Sequence, residues 1–415
     1  MSAGPILMVS EHWAPEGSGA EWSNLAWARG LVQRGEIVVV LTPGSDGRDW
    51  STGEPAIYRK AWPSWPSGWL RTRTPWWHLV TLWRTLRAVG IVRPRVIHVV
   101  GKGMLVGAWL AGKLTRTPAV FTLRDLNMLC PTGYRILGGG CDCKPDMRAA
   151  CDAGYLDAYH PGAGWWRRLR LQAGLWVAWA NLGLQQMALR GCAVVTAVSR
   201  DLLDRHPAAL TGRALRRVTY TAPPDPGERP SLLSAALMAD RLKLAGVPLV
   251  LYVGKLSHGK GTDDLLSAMR KVRARVPEAT LVMVGTDRTV GNPGVICVGR
   301  LPQADVFALY RLADVVVVPS VWPEPYSRVL LEAMTFGCAV VATDVGGNRE
   351  LAEGCAFLTP PSNVEALADT VAFTLRLTPE GRANVGVLAT QRVASRFNTD
   401  RSLTALLDAY AEATR

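Results

Sequence analysis

A chain of 415 residues is longer than one ordinary domain, so its length predicts two domains of comparable size. Hydrophobic residues make up 48% of the chain and charged residues 20%, which excludes a disordered or fibrous protein. The net charge of +13 indicates a partner that carries negative charge, such as a phosphorylated substrate or an anionic membrane surface. No recognition motif accompanies this basicity, so nucleic acid is not an expected partner.

The N-terminal half alternates short apolar runs with segments of helical spacing. A strand at 6–10 is followed by a glycine-containing loop, a helix over 20–34 and a second strand, which is the order of a βαβ unit. The first five residues lack the basic segment of a secretion signal, so a cytoplasmic protein is expected. The strands of this half are predicted at 6–10, 36–41, 96–100, 119–123 and 193–198.

One stretch of the N-terminal half is both basic and rich in tryptophan. Residues 55–124 contain twelve Lys and Arg, seven Trp and no Asp or Glu. Tryptophan and arginine are favoured at a membrane–water interface. Residues 164–171 predict the start of an amphipathic helix, whereas the apolar stretch at 173–184 is too short to span a bilayer. Three interpretations stay open: peripheral association with the inner face of the plasma membrane, an ordinary basic face, or a face that meets an acidic acceptor.

Four of the eight cysteines form a cluster within a Cys-rich excursion of about 126–160. Four thiolates this close together predict a structural zinc site. The Cys-x-Cys pair in the cluster differs from two regular Cys-x(2)-Cys pairs, so free or redox-paired thiols are the alternative. The candidate zinc ligands are Cys130, Cys141, Cys143 and Cys151.

A proline-rich segment at 221–232 predicts the linker between two Rossmann-like domains. It separates an N-terminal domain at 1–220, expected to bind the acceptor, from a C-terminal domain at 233–395. A final helix at 396–415 is expected to pack back on the N-terminal domain. The C-terminal domain again alternates apolar strands with helices, which predicts a parallel sheet covered on both faces. Its strands are predicted at 248–253, 279–284, 295–298, 315–319, 339–342 and 356–359.

The first motif of the C-terminal domain is a glycine turn that carries two lysines. Gly254 and Gly261 bracket Lys255 and Lys260, directly after a strand and before a helix that begins at Thr262. Glycines permit a tight turn, two lysines in one turn can converge on a diphosphate, and the helix N-terminus favours an anion. Taken alone, the turn also fits a loop whose lysines only keep the surface soluble.

The second motif is a pair of carboxylates eight residues apart. Glu324 lies in a loop and Glu332 two turns into the following helix. An ionised carboxylate accepts hydrogen bonds from two hydroxyls, which suits a sugar or a ribose diol. Glu332 lies in an apolar helix, where a carboxylate without a partner is costly. A third motif, the turn at Gly346 and Gly347, offers backbone amides that can approach a phosphate or sugar.

The order and spacing of these motifs resemble the C-terminal domain of the family-4 retaining glycosyltransferases (group 1). Their GT-B fold is α/β, with two Rossmann-like domains whose parallel sheets face each other across a cleft. The resemblance implies that Lys255 and Lys260 bind the donor diphosphate, Glu324 the transferred sugar and Glu332 the ribose. In the N-terminal domain, Gly17 and Gly19 resemble the family's Gly-Gly loop, although Ser18 separates them. The donor-binding residues implied are Gly17, Gly19, Gly254, Lys255, Lys260, Glu324, Tyr326, Ser327 and Glu332.

Arg124 stands where the family often has a histidine close to the transferred sugar. Arginine cannot act as a base, but it can contact a phosphate or carboxylate of donor or acceptor. The catalytic set implied by the resemblance is therefore Glu324, Lys260 and Arg124.

The activity implied is transfer of a sugar, with retained anomeric configuration, from a nucleotide-diphosphate sugar to a hydroxyl acceptor. UDP- or GDP-sugars are the expected donors, and the chemistry requires no dedicated metal. The acceptor is a glycolipid, a polysaccharide precursor or a natural-product core. A non-catalytic GT-B-fold binding protein and a sugar-nucleotide epimerase are the alternatives. The non-catalytic alternative stays open because Lys255 and Arg124 stand where the family usually has an arginine and a histidine.

Overall fold

The computed structural model describes residues 4–14, 19–43, 47–49, 54–60, 75–131, 148–160, 162–225, 231–286 and 290–415. The chain divides into two units. Unit 1 contains Met1–Ala222 and Thr399–Arg415, and unit 2 contains Pro223–Asn398. Strands and helices alternate in both units, so the predicted α/β class is confirmed.

Unit 1 is built on a sheet of eight described strands. They are β1 (Ile6–Val9), β2 (Val38–Pro43), β3 (Gly47–Asp49), β4 (Ala56–Lys60), β5 (Val96–Val99), β6 (Ala119–Leu123), β7 (Val194–Ala197) and β8 (Leu215–Val218). The order is β3-β4-β2-β1-β5-β6-β7-β8, and every pair is parallel except β3 with β4. Strand order reverses between β1 and β5, so the carboxyl ends of these two strands form the crevice where α/β sheets bind ligands.

Helices flank this sheet, and the central strands are buried along their whole length. This confirms the covered parallel sheet that continuous apolar strands predict. The described helices of this part of the chain are α1 (Gly19–Gln33), α2 (Pro75–Val92), α3 (Lys102–Thr115), α4 (Arg148–Tyr159), α5 (Trp165–Arg190), α6 (Arg200–Arg205) and α7 (Ala208–Thr211). Within the described ranges, no helix is both long and apolar enough to cross a bilayer.

Unit 2 has a parallel sheet of six described strands in the order β11-β10-β9-β12-β13-β14. Its strands are β9 (Leu249–Val253), β10 (Thr280–Val284), β11 (Val295–Cys297), β12 (Val315–Val318), β13 (Val340–Thr343) and β14 (Phe357–Thr359). Its helices are α8 (Leu232–Leu242), α9 (Thr262–Arg275), α10 (Gln303–Leu312), α11 (Arg328–Thr335), α12 (Gly347–Ala352), α13 (Val364–Arg376) and α14 (Pro379–Arg396). Strand order reverses between β9 and β12, and the first two sequence motifs directly follow these two strands.

The last helix, α15 (Thr399–Ala413), belongs to unit 1 although it follows unit 2 in the chain. Trp27 Nε1 donates a hydrogen bond to Ser402 Oγ at 2.8 Å. Tyr410 Oη and His98 Nδ1 form a hydrogen bond, also of 2.8 Å, and His98 Nε2 and Thr122 Oγ1 form another of 2.7 Å. His98 is therefore a fully buried core histidine with both ring nitrogens bonded, as its place in a strand predicts.

Candidate functional site

The lysine turn of unit 2, residues 254–261, is hydrogen-bonded to the segment that follows β12. The carbonyl of Gly259 accepts hydrogen bonds from the backbone amides of Val321 and Trp322, at 3.0 and 3.2 Å. Gly261 has a φ of +66°, and a Cβ at this position would lie 1.8 Å from the carbonyl oxygen of Pro319. Only glycine fits there, so the close approach of the two segments explains why the turn ends in glycine.

Glu324 lies at the centre of this arrangement and its side chain is buried. Lys260 Nζ and Ser320 Oγ each donate to its Oε1 at 2.5 Å, and Trp322 Nε1 donates to the same oxygen at 3.1 Å. The Lys260 ammonium also lies 5.4 Å from the centre of the Trp322 ring. Since Oε2 takes none of these three bonds, the network fixes the carboxylate and leaves one oxygen to accept hydroxyl hydrogen bonds.

The glycine turn after β13 packs against the backbone of Glu324. Gly347 N donates to the Glu324 carbonyl at 2.7 Å, and Thr343 Oγ1 donates to the Ser320 carbonyl at 2.5 Å. A Cβ on Gly346, whose φ is +52°, would lie 2.3 Å from the Glu324 carbonyl. The Gly347 amide predicted to meet a phosphate or sugar is thus bonded within the protein, and the turn positions the Glu324 loop.

Glu332 is buried in α11 and has partners on both carboxylate oxygens. Arg328 Nε donates to Oε1 at 2.6 Å, and Tyr310 Oη donates to Oε2 at 3.1 Å. Burial and the Glu332 carboxylate raise the pKa of Tyr310, so the phenol stays protonated as a donor. A carboxylate oxygen accepts two hydrogen bonds, so Glu332 keeps acceptor capacity for a diol.

A polar cavity of about 220 Å³ lies at the carboxyl ends of β1, β5 and β6 in unit 1. Arg124 lines it; its guanidinium lies 4.6 Å from the centre of the Trp27 ring, and Nη1 donates to the Ala20 carbonyl at 3.4 Å. Glu11 accepts a hydrogen bond from Gly103 N at the start of α3. Burial raises the pKa of Glu11, and this hydrogen bond opposes the rise. The charged residues of the cavity are Glu11, Glu21, Lys102, Arg124 and Asp125, and His12 also lines it.

Sequence reasoning did not single out Glu11 or Lys102. Each follows a buried strand by two or three residues, at the crevice where strand order reverses. A charged side chain at that position was the available signal. Of the two predicted glycines, Gly19 is the first residue of α1, and Gly17 lies outside the described residues.

Comparisons with known proteins match both halves of the chain to one family. Residues 17–211 match the model of glycosyltransferase family 4, and residues 247–376 match the model of the glycosyl transferases group 1. The chain belongs to the family-4 glycosyltransferases. The phosphatidyl-myo-inositol mannosyltransferase of Mycolicibacterium smegmatis is 33% identical over 159 residues, which are 35% of this chain and 41% of that protein. The chain spans about half the length of the curated relatives it matches.

Solved structures share the fold of this family member over nearly its whole length. A sucrose-phosphate synthase from Thermosynechococcus elongatus has a TM-score of 0.73 and 19% identity, covering 99% of this chain and 98% of that chain. The Anabaena HepE protein, solved in complex with UDP and glucose, has a TM-score of 0.68 and 21% identity, covering 98% and 99%. The predicted GT-B fold is thereby confirmed.

The remaining residues that the sequence predicts to bind the donor have varied surroundings. Lys255 is exposed, and its carbonyl accepts from Tyr252 Oη at 2.8 Å. Ser327 caps α11, because its Oγ accepts from Leu330 N at 3.3 Å. The Tyr326 ring meets the Phe397 ring edge-on, with centroids 6.2 Å apart. Of the predicted set, the structure therefore brings Lys260 and Glu324 into direct contact, with Glu332 on the helix that follows.

The predicted zinc site stays a prediction in this family member. Cys130 is buried at the end of a short turn after β6. Cys141 and Cys143 lie outside the described residues, as does the side chain of Cys151 in α4. Where the structure does describe the chain, His, Cys, Asp and Glu side chains form no group of three that could hold a metal.

Proposed function

We propose that the protein moves a sugar from a nucleoside-diphosphate sugar to a hydroxyl acceptor, with retention of the anomeric configuration. The observation that carries this proposal is the Lys260–Glu324 pair, held at the carboxyl ends of β9 and β12. A cation for a diphosphate and a carboxylate for sugar hydroxyls lie side by side there, where parallel sheets bind ligands. UDP- and GDP-sugars are the proposed donors, with Gly254, Lys255, Tyr326, Ser327 and Glu332 completing the site.

The proposed reaction breaks the bond between the anomeric carbon and the diphosphate oxygen. Negative charge develops on the leaving diphosphate, and the ammonium groups of Lys260 and Lys255 stabilise it. The acceptor hydroxyl attacks from the face that the diphosphate leaves, and its proton passes to a diphosphate oxygen. Since two lysines supply the positive charge, we propose that transfer needs no divalent metal.

The bonding of Glu324 favours a binding role over covalent catalysis. Lys260, Ser320 and Trp322 all donate to Oε1, and these bonds withdraw negative charge from the whole delocalised carboxylate, so Oε2 is a weaker nucleophile as well. Oε2 is left for the sugar. We therefore assign Glu324 to orienting the transferred sugar.

We assign acceptor binding to the unit 1 cavity. Lys102 and Arg124 place positive charge beside the carboxylates of Glu11 and Asp125, a mixture that suits a polyol carrying a phosphate or carboxylate. Arg124 contacts the anionic group in this proposal. The mannosyltransferase relative, whose name specifies phosphatidyl-myo-inositol, favours a lipid-linked acceptor over a soluble one.

The test uses water as acceptor, so it needs no knowledge of the natural one. UDP-glucose, UDP-N-acetylglucosamine and GDP-mannose are incubated with the wild type and Lys260→Ala, with and without EDTA, and followed by proton NMR. We expect one donor to release its nucleoside diphosphate, with the α-anomer of the sugar appearing first, unaffected by EDTA and lost in Lys260→Ala. Initial release of the β-anomer contradicts retention. Binding without release supports the non-catalytic alternative, and a changed sugar still attached to the nucleotide supports the epimerase.

A further inference from the structure

Helix α5 exposes one continuous apolar stripe. Leu175, Leu182 and Leu189 on one side of the helix are buried in unit 1. Residues on the other side recur every three or four positions and stay in solvent, with Trp165, Trp166 and Trp176 each more than 60% exposed. The exposed apolar residues of α5 are Trp165, Trp166, Leu169, Ala173, Trp176, Val177, Ala180, Leu184 and Met187. A single exposed hydrophobic residue is ordinary, whereas a stripe of this length marks an interaction surface.

The neighbouring helix α2 exposes apolar residues in the same manner. His78 on α2 and Asn181 on α5 form a hydrogen bond of 2.5 Å, so the two helices are in contact. Trp76, Leu79 and Trp83 follow one another at helical spacing and are about half exposed. We call the exposed apolar residues of the two helices the tryptophan surface.

The charges around the tryptophan surface are positive. Neither α2 nor α5 contains an Asp or Glu. Arg167, Arg168 and Arg170 are exposed in the first two turns of α5, next to the stacked rings of Trp165 and Trp166. Only Arg168 of these three has a described acidic partner, Asp157. On α2, the guanidinium groups of Arg84 and Arg87 lie 4.4 and 5.2 Å from the centre of the Trp83 ring.

We propose that the tryptophan surface binds an anionic lipid bilayer, with α5 lying in the interface. Indole rings favour the headgroup region, arginines pair with lipid phosphates, and an amphipathic helix buries its apolar stripe at the acyl boundary. A second copy of the chain is a poorer occupant, because two such surfaces would bring their arginines together with no acidic residue on either helix. This proposal adds a location to the proposed function and does not depend on it.

The test is co-sedimentation of the full chain with phosphatidylcholine vesicles, with and without phosphatidylglycerol. We expect binding only to the anionic vesicles, and its loss at high salt. Arg167→Gln with Arg170→Gln should weaken binding about 25-fold, roughly 5-fold for each charge. Trp165→Ser with Trp166→Ser should weaken it by at least about 10-fold, because both rings lose their burial in the interface.

Matched controls come from unit 2. Leu232→Ser with Leu233→Ser changes two adjacent, exposed apolar residues in the first turn of α8. Arg270→Gln with Arg376→Gln removes two charges from exposed positions. Both controls should bind like the wild type, as should Lys260→Ala even if it no longer binds nucleotide, which separates this proposal from the proposed function. The proposal is overturned by absent binding, by equal binding to both vesicles, by controls that weaken it equally, or by lipid-independent dimers that these Trp substitutions abolish.

Discussion

Glu324 illustrates how the protein fixes a side chain that we propose to bind the donor sugar. Three donors converge on Oε1, so its position is fixed before any donor sugar arrives. Glu324→Gln keeps the size but removes the charge that pairs with Lys260. We expect release of nucleoside diphosphate to fall about 100-fold or more, the range found when a preorganised electrostatic contact is removed. Glu278→Gln, at an exposed loop position of the same unit, is the control. Unchanged turnover of the Glu324 variant would remove this residue from the site.

His98 makes a prediction about acid stability. Burial, with Arg124 nearby, lowers its pKa from the ordinary 6.5 to about 3. As the pH falls from 6.5 towards 3, the unfolded chain therefore binds a proton that the folded chain does not, and the free energy of unfolding decreases. The loss is up to about 1.4 kcal/mol per pH unit. In denaturant unfolding, the free energy of unfolding of His98→Gln should fall less steeply with decreasing pH than that of the wild type. The difference in slope should correspond to close to one proton. An unchanged slope would contradict a neutral buried imidazole.

At the scale of single residues, the sequence motifs identified the members of the proposed donor site but not the hydrogen bonds among them. Lys260 and Glu324 could be identified because each follows a strand end in a recognisable motif. Arg328 was not singled out, although its place four residues before Glu332 on one helix was the available signal. The contact of Tyr310 with Glu332 gave no such signal, because Tyr310 lies on another helix. Glu11 follows a strand end, but its contact with the Gly103 amide could not be predicted, because it depends on two strands that lie far apart in the sequence.

At the scale of elements, the close packing of the lysine turn against Pro319 can be tested separately from the backbone strain of a left-handed residue. Gly261→Ala places a methyl group where the Pro319 carbonyl already lies. It also forces an alanine into the left-handed backbone conformation of Gly261, which alanine disfavours. Gly246→Ala is the matched control, because Gly246 has a similar φ of +73° but no atom within 4 Å of the place that a Cβ would take. We expect Gly246→Ala to cost about 1 kcal/mol and Gly261→Ala clearly more, with weaker nucleotide binding. Equal decreases in the free energy of unfolding for the two variants would show that the turn is not closely packed against Pro319.

Element prediction succeeded where strands are buried and failed at the edges of the unit 1 sheet. Continuous apolar runs identified β1, β5 and β9 to within a residue or two. The strand β8, Leu215–Val218, has two arginines in four residues and alternates between exposed and half-buried, so no apolar run marks it. The final helix, predicted at 396–415, corresponds to α15 (Thr399–Ala413), and Arg396 is the last residue of α14.

At the scale of the whole molecule, α15 packs the end of the chain into the core of unit 1. Leu406 and Tyr410 are buried, and Ser402 bonds Trp27. Leu406→Ala should lower the free energy of unfolding by about 2–5 kcal/mol through the cavity it leaves. Nucleotide affinity should not change, since Lys260 and Glu324, the proposed donor-binding residues, belong to unit 2. Calorimetric unfolding and a binding titration together check both parts. A large loss of affinity would show that donor binding depends on α15.

The measurement that tests the central claim most directly is isothermal titration of UDP and GDP into the wild type and Lys260→Ala. The proposed donor site predicts that one of the two nucleotides binds the wild type. Losing the Lys260 ammonium should weaken that binding at least about 10-fold, because a charge-assisted contact to the diphosphate disappears. Failure of both nucleotides to bind, or equal affinity in the variant, would contradict the assignment of this site.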